Sequence, residues 1–543
     1  MNRSAAALIG LLLLTAGVYL RGLWAAGFVW DDVPLILMNQ ALGRLDQLPG
    51  LFAGDLWAAS GAGEVDSGYY RPLVLLGFSL DKVVFGEAAL GYHLHSLAWH
   101  LLAVGALYVL LKDIAGEGGA LAGATLFALH PVQSECVAWI SARNDLMAAA
   151  FSLLALIAVL HRGRSGGRWW LGVGLALAAV LSKESAVLLP LLLAVLDGCR
   201  DRTERRLGAY GALLLGIGLA LGLRLLAGVG GAALPPPEGW TLVVERMVDW
   251  IGIMGASVVW PAPVTSARDL HWTDLEPIAR VAVGWGAVLL GALVALLSRG
   301  MQRRGVMGGL VWVVACMALT LVPMADKGGF GDRFWYLPMV GLALMIAVSV
   351  PRGTGPWVAT ALAIPAVVVL GVRLPDWSDD AQMWAAAARD VPSPVNHVGL
   401  GHAMFREKRL SRAHVAFVGA LSTNRLANDA CPRVVASAMR MGQPAHAARM
   451  GQWALHRGCP RTGTLVGWLS TAQAISGAWE GARANLEAGP PDPNGRDRVV
   501  AAALARRAGE LERAKLLVGN RPQLAAQVDR LLEAAAAWNS PPE

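Results

Sequence analysis

Two adjacent carboxylates, Asp31 and Asp32, directly follow the first apolar segment of the chain. Neighbouring negative charges repel, so one of the two is expected to hold its proton to a higher pH than the other. A carboxylate of this kind can act as the general base that takes a proton from a hydroxyl group. We predict that Asp31 is this base and that Asp32 orients it or the acceptor, with the reverse assignment as the alternative.

Cations, a histidine and further carboxylates recur at the ends of other apolar segments. Guanidinium and ammonium groups can stabilise the negative charge that develops on a phosphate leaving group. We predict that Arg71, Lys183 and Arg333 include the ligands of this phosphate, with His93 and Arg143 in reserve. Each group alone is compatible with an ion pair, a helix cap or a lipid-headgroup anchor, but together they indicate an active site. The complete set of candidate residues is Asp31, Asp32, Arg71, His93, Glu135, Arg143, Lys183, Glu184 and Arg333.

This chemistry does not require a metal ion, and no cofactor is expected. His93 and His95 could join the two aspartates as metal ligands, but side chains two residues apart on a helix point about 200° apart. A single phosphate, unlike a diphosphate, does not need a metal ion to hold it. The five cysteines show no metal-ligand spacing. Cys431 and Cys459 fall near the two ends of one predicted helical pair, and whether they form a disulfide stays open.

The composition of the chain is that of a membrane protein. Of its 543 residues, 55% are hydrophobic and only 16% are charged, whereas soluble domains carry about a quarter charged residues. The net charge of 46 − 39 = +7 is typical of cytoplasmic loops, and no basic, aromatic groove indicates a nucleic-acid partner. We predict an all-α, polytopic membrane bundle over residues 1–375, with about eleven spans, near 5–23, 93–112, 119–134, 145–161, 169–183, 185–199, 207–228, 281–298, 306–323, 336–350 and 356–373.

The basic residues predict the orientation of the bundle. Alternate loops hold most of the arginines, and the positive-inside rule assigns these loops to the cytoplasm. The N-terminus is then cytoplasmic, and the candidate residues collect on the outer face, to which the first outer loop, 24–92, also belongs. Residues 231–280 are predicted to form one extracytoplasmic loop with an interfacial or re-entrant helix, because a span there would break the charge pattern. The basic residues are Arg3, Lys112, Arg162, Arg164, Arg168, Arg200, Arg202, Arg205, Arg206, Arg299, Arg303, Arg304 and Arg352.

The last third of the chain carries a repeating helical pattern. A small residue recurs five positions after each predicted turn, at Ala413, Ala447, Ala482 and Ala514, with spacings of 34, 35 and 32 residues. This period is typical of tetratricopeptide repeats, which stack into an α-solenoid and bind peptides or partner domains on a concave surface. We predict such a domain over 376–535, outside the cytoplasm, followed by a disordered tail over 536–543. An irregular helical bundle is the alternative.

Several longer stretches resemble one family of membrane enzymes. The most specific is LFALHPVQSECVAWISARNDLMAAAF at 126–151, supported by FVWDDVPLILMN at 28–39, YYRPLVLLGFSLDKVVFG at 69–86 and DRFWYLP at 332–338. The chain resembles the transmembrane and tetratricopeptide-repeat-containing O-mannosyltransferases and their bacterial relatives, within the GT-C superfamily. The resemblance implies an inverting glycosyltransferase that uses a polyprenyl-phosphate sugar at the extracytoplasmic face. It places the catalytic acidic pair at Asp31 and Asp32.

The predicted function is transfer of a mannose-like sugar from a polyprenyl-phosphate donor to a hydroxyl acceptor, such as Ser or Thr of a protein. The expected partners are this donor, membrane lipids, and an acceptor protein or glycan held by the repeats; the expected location is a bacterial inner membrane. A transporter of lipid-linked glycans is one alternative, although transporters more often place their charges near the middle of the membrane. A non-catalytic membrane scaffold is the other.

Overall fold

The protein divides into two compact units, Met1–Ala386 and Ala387–Glu543. The structure is a computed structural model. It describes residues 3–58, 60, 67–160, 167–200, 207–230, 237–259, 268–269, 278–327, 329–422, 428–519 and 521–539.

The first unit is built almost entirely of helices. Most are apolar, and short polar turns connect them. The helices are α1 (Arg3–Leu23), α2 (Pro72–Phe85), α3 (Ala89–Leu129), α4 (Ser134–Ala138), α5 (Arg143–Leu160), α6 (Gly167–Ser182), α7 (Leu189–Gly198), α8 (Leu207–Leu226), α9 (Pro237–Glu245), α10 (Met247–Val259), α11 (Ile278–Leu297), α12 (Gly300–Lys327), α13 (Met339–Ser349), α14 (Gly355–Arg373) and α15 (Asp380–Asp390).

Seven segments of the described chain are long and apolar enough to cross a membrane. Three shorter apolar helices accompany them, at Trp169–Ser182, Met247–Val259 and Met339–Ser349. The first unit is therefore a multi-pass membrane domain, as its composition predicts. The seven long segments are Ser4–Leu23, Ala89–Leu129, Ile140–Leu160, Leu207–Leu226, Ile278–Leu297, Gly300–Val322 and Gly355–Trp377.

Each of the eleven predicted spans has a helical counterpart, but prolines and a glycine move several boundaries. The predicted spans 93–112 and 119–134 form the single helix α3, which bends at Gly116, where φ is +70°. Helix α3 ends at Leu129 because Pro131 disfavours helical geometry at His130. The predicted span 185–199 begins as a tight turn over Glu184–Leu188 before α7.

The predicted outer loop 231–280 contains more structure than one interfacial helix. The structure describes α9, α10 and a two-residue strand, β1 (Arg268–Asp269), which pairs antiparallel with β2 (Gly329–Phe330). Helix α10 packs tightly along α11, since a Cβ added to Gly284 would come within 1.6 Å of the Gly252 carbonyl oxygen. The predicted all-α class is confirmed apart from this small strand pair. Residues 231–236, 260–267 and 270–277 of the loop lie outside the described ones, as do Arg162, Arg164, Arg202, Arg205 and Arg206 of the predicted cytoplasmic loops.

The second unit consists of consecutive helix pairs. Ala413, Ala447, Ala482 and Ala514 are all buried, each in the second helix of a pair, so the sequence period coincides with a packing period. Their assignment to tetratricopeptide repeats stays a prediction. The helices are α16 (Pro394–Arg406), α17 (Leu410–Ser422), α18 (Ala430–Arg440), α19 (Pro444–His456), α20 (Gly463–Ile475), α21 (Trp479–Ala488), α22 (Arg496–Arg507), α23 (Leu511–Val518) and α24 (Pro522–Asn539).

Two details of this unit answer questions that the sequence left open. Cys431, at the start of α18, and Cys459, just after α19, form a disulfide, with their Cα atoms 6.0 Å apart. The prediction of a disordered tail over 536–543 is wrong for residues 536–539, which belong to α24. A run of alanines favours the helix there. Residues 540–543 lie outside the described part of the chain.

Candidate active site

Asp32 is locked in place by three hydrogen bonds. Its side chain is fully buried. Its Oδ1 accepts from the backbone N–H of Ser141 at 2.8 Å and from the Ser141 hydroxyl at 2.5 Å, and its Oδ2 accepts from the backbone N–H of Val29 at 3.0 Å. Burial raises the pKa of Asp32 to about 7, although these hydrogen bonds oppose the rise. Asp32 therefore ties the first loop to the turn before α5.

Asp31 is less constrained than its neighbour. It is partly buried, and within the described part of the chain no group donates a hydrogen bond to its carboxylate. Burial raises the pKa of Asp31 to about 6; the Arg333 guanidinium opposes this rise and the Asp380 carboxylate adds to it. Asp31 thus keeps its acceptor capacity for an incoming hydroxyl group, and it is ionised above about pH 6.

The residue before this pair, Trp30, has an unusual backbone. Its φ is +50°, a region that bulky side chains rarely adopt. Its N–H donates to Asp380 Oδ1 at 2.8 Å. Its ring stacks on Trp139, with centroids 4.8 Å apart and planes at 10°, and meets the edge of Trp384 at 5.1 Å.

Arg333 and Glu135 form the ion pair nearest to Asp31. The Arg333 guanidinium donates to Glu135 Oε1 at 2.6 Å, and its backbone N–H donates to Oε2 at 2.9 Å. Burial raises the pKa of Glu135 to about 7 despite the opposing charge of Arg333. The guanidinium also lies over the rings of Trp139 and Phe334, each 5.1 Å away, and of Trp30, 5.7 Å away. Asp31, Asp32, Glu135, Arg333 and these rings are called the Asp31 cluster below.

The other two predicted phosphate ligands are also paired with carboxylates. Arg71 donates to Glu184 Oε2 from Nη2 at 2.8 Å and from Nε at 3.1 Å. Lys183 donates to Asp145 Oδ1 at 2.5 Å and lies 5.9 Å from the centre of the Phe334 ring. The neighbours Lys183 and Glu184 thus contact different partners.

Electrostatics connect these pairs to Arg333. Burial lowers the pKa of Arg71, but Glu184 and, more weakly, Tyr69 and Asp145 outweigh burial, so the net pKa is raised. The charge of Asp145 also raises the pKa of Arg333. Asp145 Oδ2 is buried and has no hydrogen-bond partner among the described residues. Asp145 thus pairs with Lys183, and its charge also acts on Arg71 and Arg333.

His93 and Arg143 are both buried in the interior of the first unit. Arg143 is fully buried; its Nε donates to Ser96 Oγ at 3.1 Å, its Nη2 to the Tyr92 carbonyl at 2.8 Å, and its Nη1 pairs with Asp81. Asp81 Oδ1 also contacts His95 Nδ1 at 2.6 Å. These five residues are called the Arg143 cluster below.

The two histidines have different partners, as their spacing on a helix predicts. His93 is buried, and its Nε2 lies 3.2 Å from the Gly27 carbonyl oxygen, whereas His95 belongs to the Arg143 cluster. Within the described ranges, no three His, Cys, Asp or Glu side chains are grouped so that they could hold a metal ion.

The sequence analysis did not name several residues that lie at the site. Asp81, Trp139 and Ser141 contact candidate residues, and Asp380 contacts the neighbouring Trp30. Asp81 is an isolated charge in an apolar helix, which is a signal for a buried ion pair. Trp139 and Ser141 lie inside the stretch most specific to the family, but nothing in their residue types indicates a contact with residues 29–32.

Comparisons with known proteins concern the family that the chain resembles. Residues 72–223 match the family model described as dolichyl-phosphate-mannose-protein mannosyltransferase. The predicted resemblance to the O-mannosyltransferase family is confirmed. The protein O-mannosyl-transferase Tmtc1 of Drosophila melanogaster is 34% identical over 199 residues, which is 36% of this chain and 23% of that protein. TMTC3 of Homo sapiens is 29% identical over 182 residues, which is 32% of this chain and 20% of that protein.

A longer match is to the protein O-mannosyl-transferase F38B6.6 of Caenorhabditis elegans, 30% identical over 340 residues, 59% of this chain and 48% of that protein. The chain therefore spans half or less of the length of these relatives. Among solved structures, ArnT from Cupriavidus metallidurans bound to undecaprenyl phosphate matches with a TM-score of 0.40 and 14% identity, over 82% of this chain and 79% of that chain.

Proposed function

We propose that the protein is a membrane glycosyltransferase that moves a mannose-like sugar from a polyprenyl-phosphate donor to a hydroxyl group. The observation that carries the proposal is the contrast between Asp31 and Asp32. Asp32 is fully buried and accepts three hydrogen bonds, whereas Asp31 is partly buried, has its pKa raised to about 6 and accepts none from the described residues. A carboxylate with a pKa of about 6, next to a residue that hydrogen bonds hold in place, is suited to proton transfer at neutral pH.

The proposed reaction is a single displacement at the anomeric carbon. The acceptor oxygen forms a bond to this carbon while the bond from the carbon to the phosphate oxygen breaks. The hydroxyl proton passes to the Asp31 carboxylate, and the polyprenyl phosphate leaves with the bonding electrons. Attack on the face opposite the leaving group inverts the configuration at the anomeric carbon.

The leaving phosphate gains negative charge, and cations near the reacting bond stabilise it. Arg71, Lys183 and Arg333 are the proposed ligands. Each is already paired with a carboxylate, which holds the cation in position before the donor arrives. Glu135, with its pKa raised to about 7, is the proposed alternative base.

The names of the relatives favour protein Ser or Thr as the acceptor and mannose as the sugar. We propose that the reaction takes place on the extracytoplasmic face of a bacterial inner membrane. The proposed orientation rests on the arginine-rich alternate loops. The helix pairs of the second unit are proposed to hold the acceptor chain, as arrays of such pairs do in other proteins.

The test uses the full chain in lipid nanodiscs with synthetic mannosyl-phosphoryl-undecaprenol and a pool of Ser/Thr peptides. We expect release of undecaprenyl phosphate together with mannosylated peptide. Asp31→Asn keeps the shape and removes the proton acceptor, so transfer should fall about a hundred- to ten-thousandfold. The matched control is Asp46→Asn, since Asp46 is an exposed carboxylate of the same loop, paired with Arg44.

Two outcomes would contradict the proposal. Donor movement across proteoliposome membranes without any sugar transfer would indicate a transporter. Full transfer by both Asp31→Asn and Asp32→Asn would remove the acidic pair from the mechanism. If Asp32→Asn is inactive and Asp31→Asn is active, the proposed roles of the two aspartates are reversed.

A further inference from the structure

The direction of the Asp31 carboxylate is set by its two neighbours in the chain. No described group donates a hydrogen bond to the carboxylate itself. On one side, Asp32 is fixed by Ser141 and Val29. On the other side stands Trp30, whose φ of +50° is unfavourable for a large side chain. A backbone of this kind persists only where surrounding contacts hold it.

The contacts that hold Trp30 come mainly from residues 378–384. Its N–H donates to Asp380 Oδ1 at 2.8 Å, and its ring meets that of Trp384 at 5.1 Å. The same segment binds the loop a second time, because the Gly27 N–H donates to the Ser378 carbonyl at 2.8 Å. Trp139 stacks on the Trp30 ring, and the Arg333 guanidinium lies 5.7 Å from its centre.

We propose that Asp380 is a positioning residue for the transfer reaction: it holds Trp30 in its left-handed backbone conformation and thereby fixes the direction of the Asp31 carboxylate. This inference rests on the proposed function of Asp31. Asp380 lies about 350 residues along the chain from the base, at the first position of α15, so its role is a tertiary one. It touches the backbone of the catalytic loop and not the reacting atoms.

Asp380 also acts on Asp31 through its charge. The effect of this charge on the pKa of Asp31 can be measured separately from any effect of Asp380 on folding. The charged groups that face Asp31 are Arg333 from the turn before α13, Asp380 from α15 and Asp32 on the same loop. Burial raises the pKa of Asp31, Arg333 lowers it and Asp380 raises it further. Neutralising Asp380 should therefore lower the pKa of the base, which a purely structural contact would not do.

Two variants separate the effect of the Asp380 charge from the effect of its hydrogen bond to Trp30. Asp380→Asn keeps an oxygen that can accept from the Trp30 N–H but removes the charge, and Asp380→Ala removes both. The control is Asp379→Ala. Asp379 is an exposed carboxylate next to Asp380, and it accepts a hydrogen bond from the Gln382 N–H at 2.7 Å, which caps α15. All variants are made in the full chain, and their unfolding temperatures are measured first.

Activity is followed with mannosyl-phosphoryl-undecaprenol and the Ser/Thr peptide pool between pH 4.5 and pH 9. We expect Asp380→Asn to remain within about threefold of the parent at pH 8, with the acid limb of its profile moved to lower pH by at least about half a unit. Asp380→Ala should lose about tenfold or more at every pH, because the carboxylate is misdirected. Asp379→Ala removes the cap of α15 but leaves Asp380 in place, so it should lose far less activity than Asp380→Ala and keep the pH profile of the parent.

A second measurement does not depend on turnover. The infrared absorbance of the protonated Asp31 carboxyl is titrated in each protein, after the spectrum of the matching Asp31→Asn protein is subtracted. Its midpoint should fall in Asp380→Asn. If the parent transfers no sugar, the proposed function fails, and this titration still tests the placement of Asp380 beside Asp31.

The proposal is overturned if Asp380→Ala matches Asp379→Ala in both activity and infrared midpoint. It is also overturned if the Asn and Ala variants lose activity equally while the midpoint of Asp31 stays where it is in the parent. In either case the 378–384 segment would serve folding alone.

Discussion

The first unit contains two buried groups of charges that resemble each other in residue type but differ in how completely they are satisfied. In the Arg143 cluster, each nitrogen of the guanidinium has a partner, and Asp81 uses one oxygen for Arg143 and the other for His95. In the Asp31 cluster, Asp31 accepts no hydrogen bond from a described group, and Asp31 and Glu135 have raised pKa values.

We interpret this difference in hydrogen bonding as the difference between a structural cluster and a candidate reactive one. A buried charge whose partners are complete stabilises one arrangement and has no capacity left for a substrate. A charge that is held in place but keeps acceptor capacity can take a proton or bind a ligand. Burial and residue type are therefore weaker indicators of a reactive site than incomplete hydrogen bonding beside a rigid neighbour.

The largest expected effect that tests this comparison is on stability. Arg143→Met leaves Asp81 buried with His95 as its remaining partner, and breaking a buried ion pair in this way costs about 3–5 kcal/mol. Thermal unfolding of the detergent-solubilised protein should show a clear loss. Arg44→Met, which removes an exposed arginine that also has a carboxylate partner, should leave the unfolding temperature unchanged.

The double variant Arg143→Met, Asp81→Leu sharpens this test. It removes both charges and should recover much of the lost stability, because no unpaired buried charge remains. Equal stability of the parent and Arg143→Met would mean that the Arg143 cluster is not a structural core.

A smaller effect is expected in the Asp31 cluster, and it should appear in catalysis. Arg333→Gln removes one proposed ligand of the donor phosphate, so kcat/KM for the donor should fall about tenfold or more, on the scale of about 1.5–3 kcal/mol for a charged hydrogen bond. Arg71→Gln and Lys183→Met should act in the same direction. Normal donor kinetics in all three variants would place the phosphate elsewhere, with Arg44→Gln as the surface control.

The smallest effect concerns pH. Asp31 works as a base only when it is ionised, and its pKa is raised to about 6, so the rate should halve at about pH 6 relative to pH 8 and fall further in more acidic solution. Equilibrium binding of the donor, measured at the same pH values, separates loss of the base from loss of the substrate. A flat profile down to pH 4.5 would exclude Asp31 as the base.

The sequence was sufficient to name the candidate site residues by type and position. Asp31, Asp32, Arg333 and Lys183 are charges at the ends of apolar segments, where a charge is costly and therefore informative. The helical period of the second unit and its recurring alanines could also be identified from the sequence. These features depend on local sequence and on the cost of burying a charge.

The pairing of these residues could not be predicted, because it depends on contacts between distant parts of the chain. Arg71 and Glu184 are 113 positions apart, and Glu135 and Arg333 are 198 apart. The contacts of Arg143 could not be predicted for the same reason, since its partners Asp81, Tyr92 and Ser96 belong to other parts of the sequence. The left-handed backbone conformation of Trp30 could not be predicted either, because a tryptophan side chain disfavours it.

In the proposed orientation, with the second unit outside the cytoplasm, the bridge between Cys431 and Cys459 can report when this unit has crossed the membrane. Cytoplasmic reductants keep thiols reduced, so a pair of this kind becomes oxidised only after its segment has left that compartment. The fraction of bridged chains, followed by pulse labelling and a thiol-reactive mass tag, would therefore time the export of the second unit during biosynthesis. The three other cysteines are buried in the first unit, and in the folded protein they would contribute little background to such a measurement.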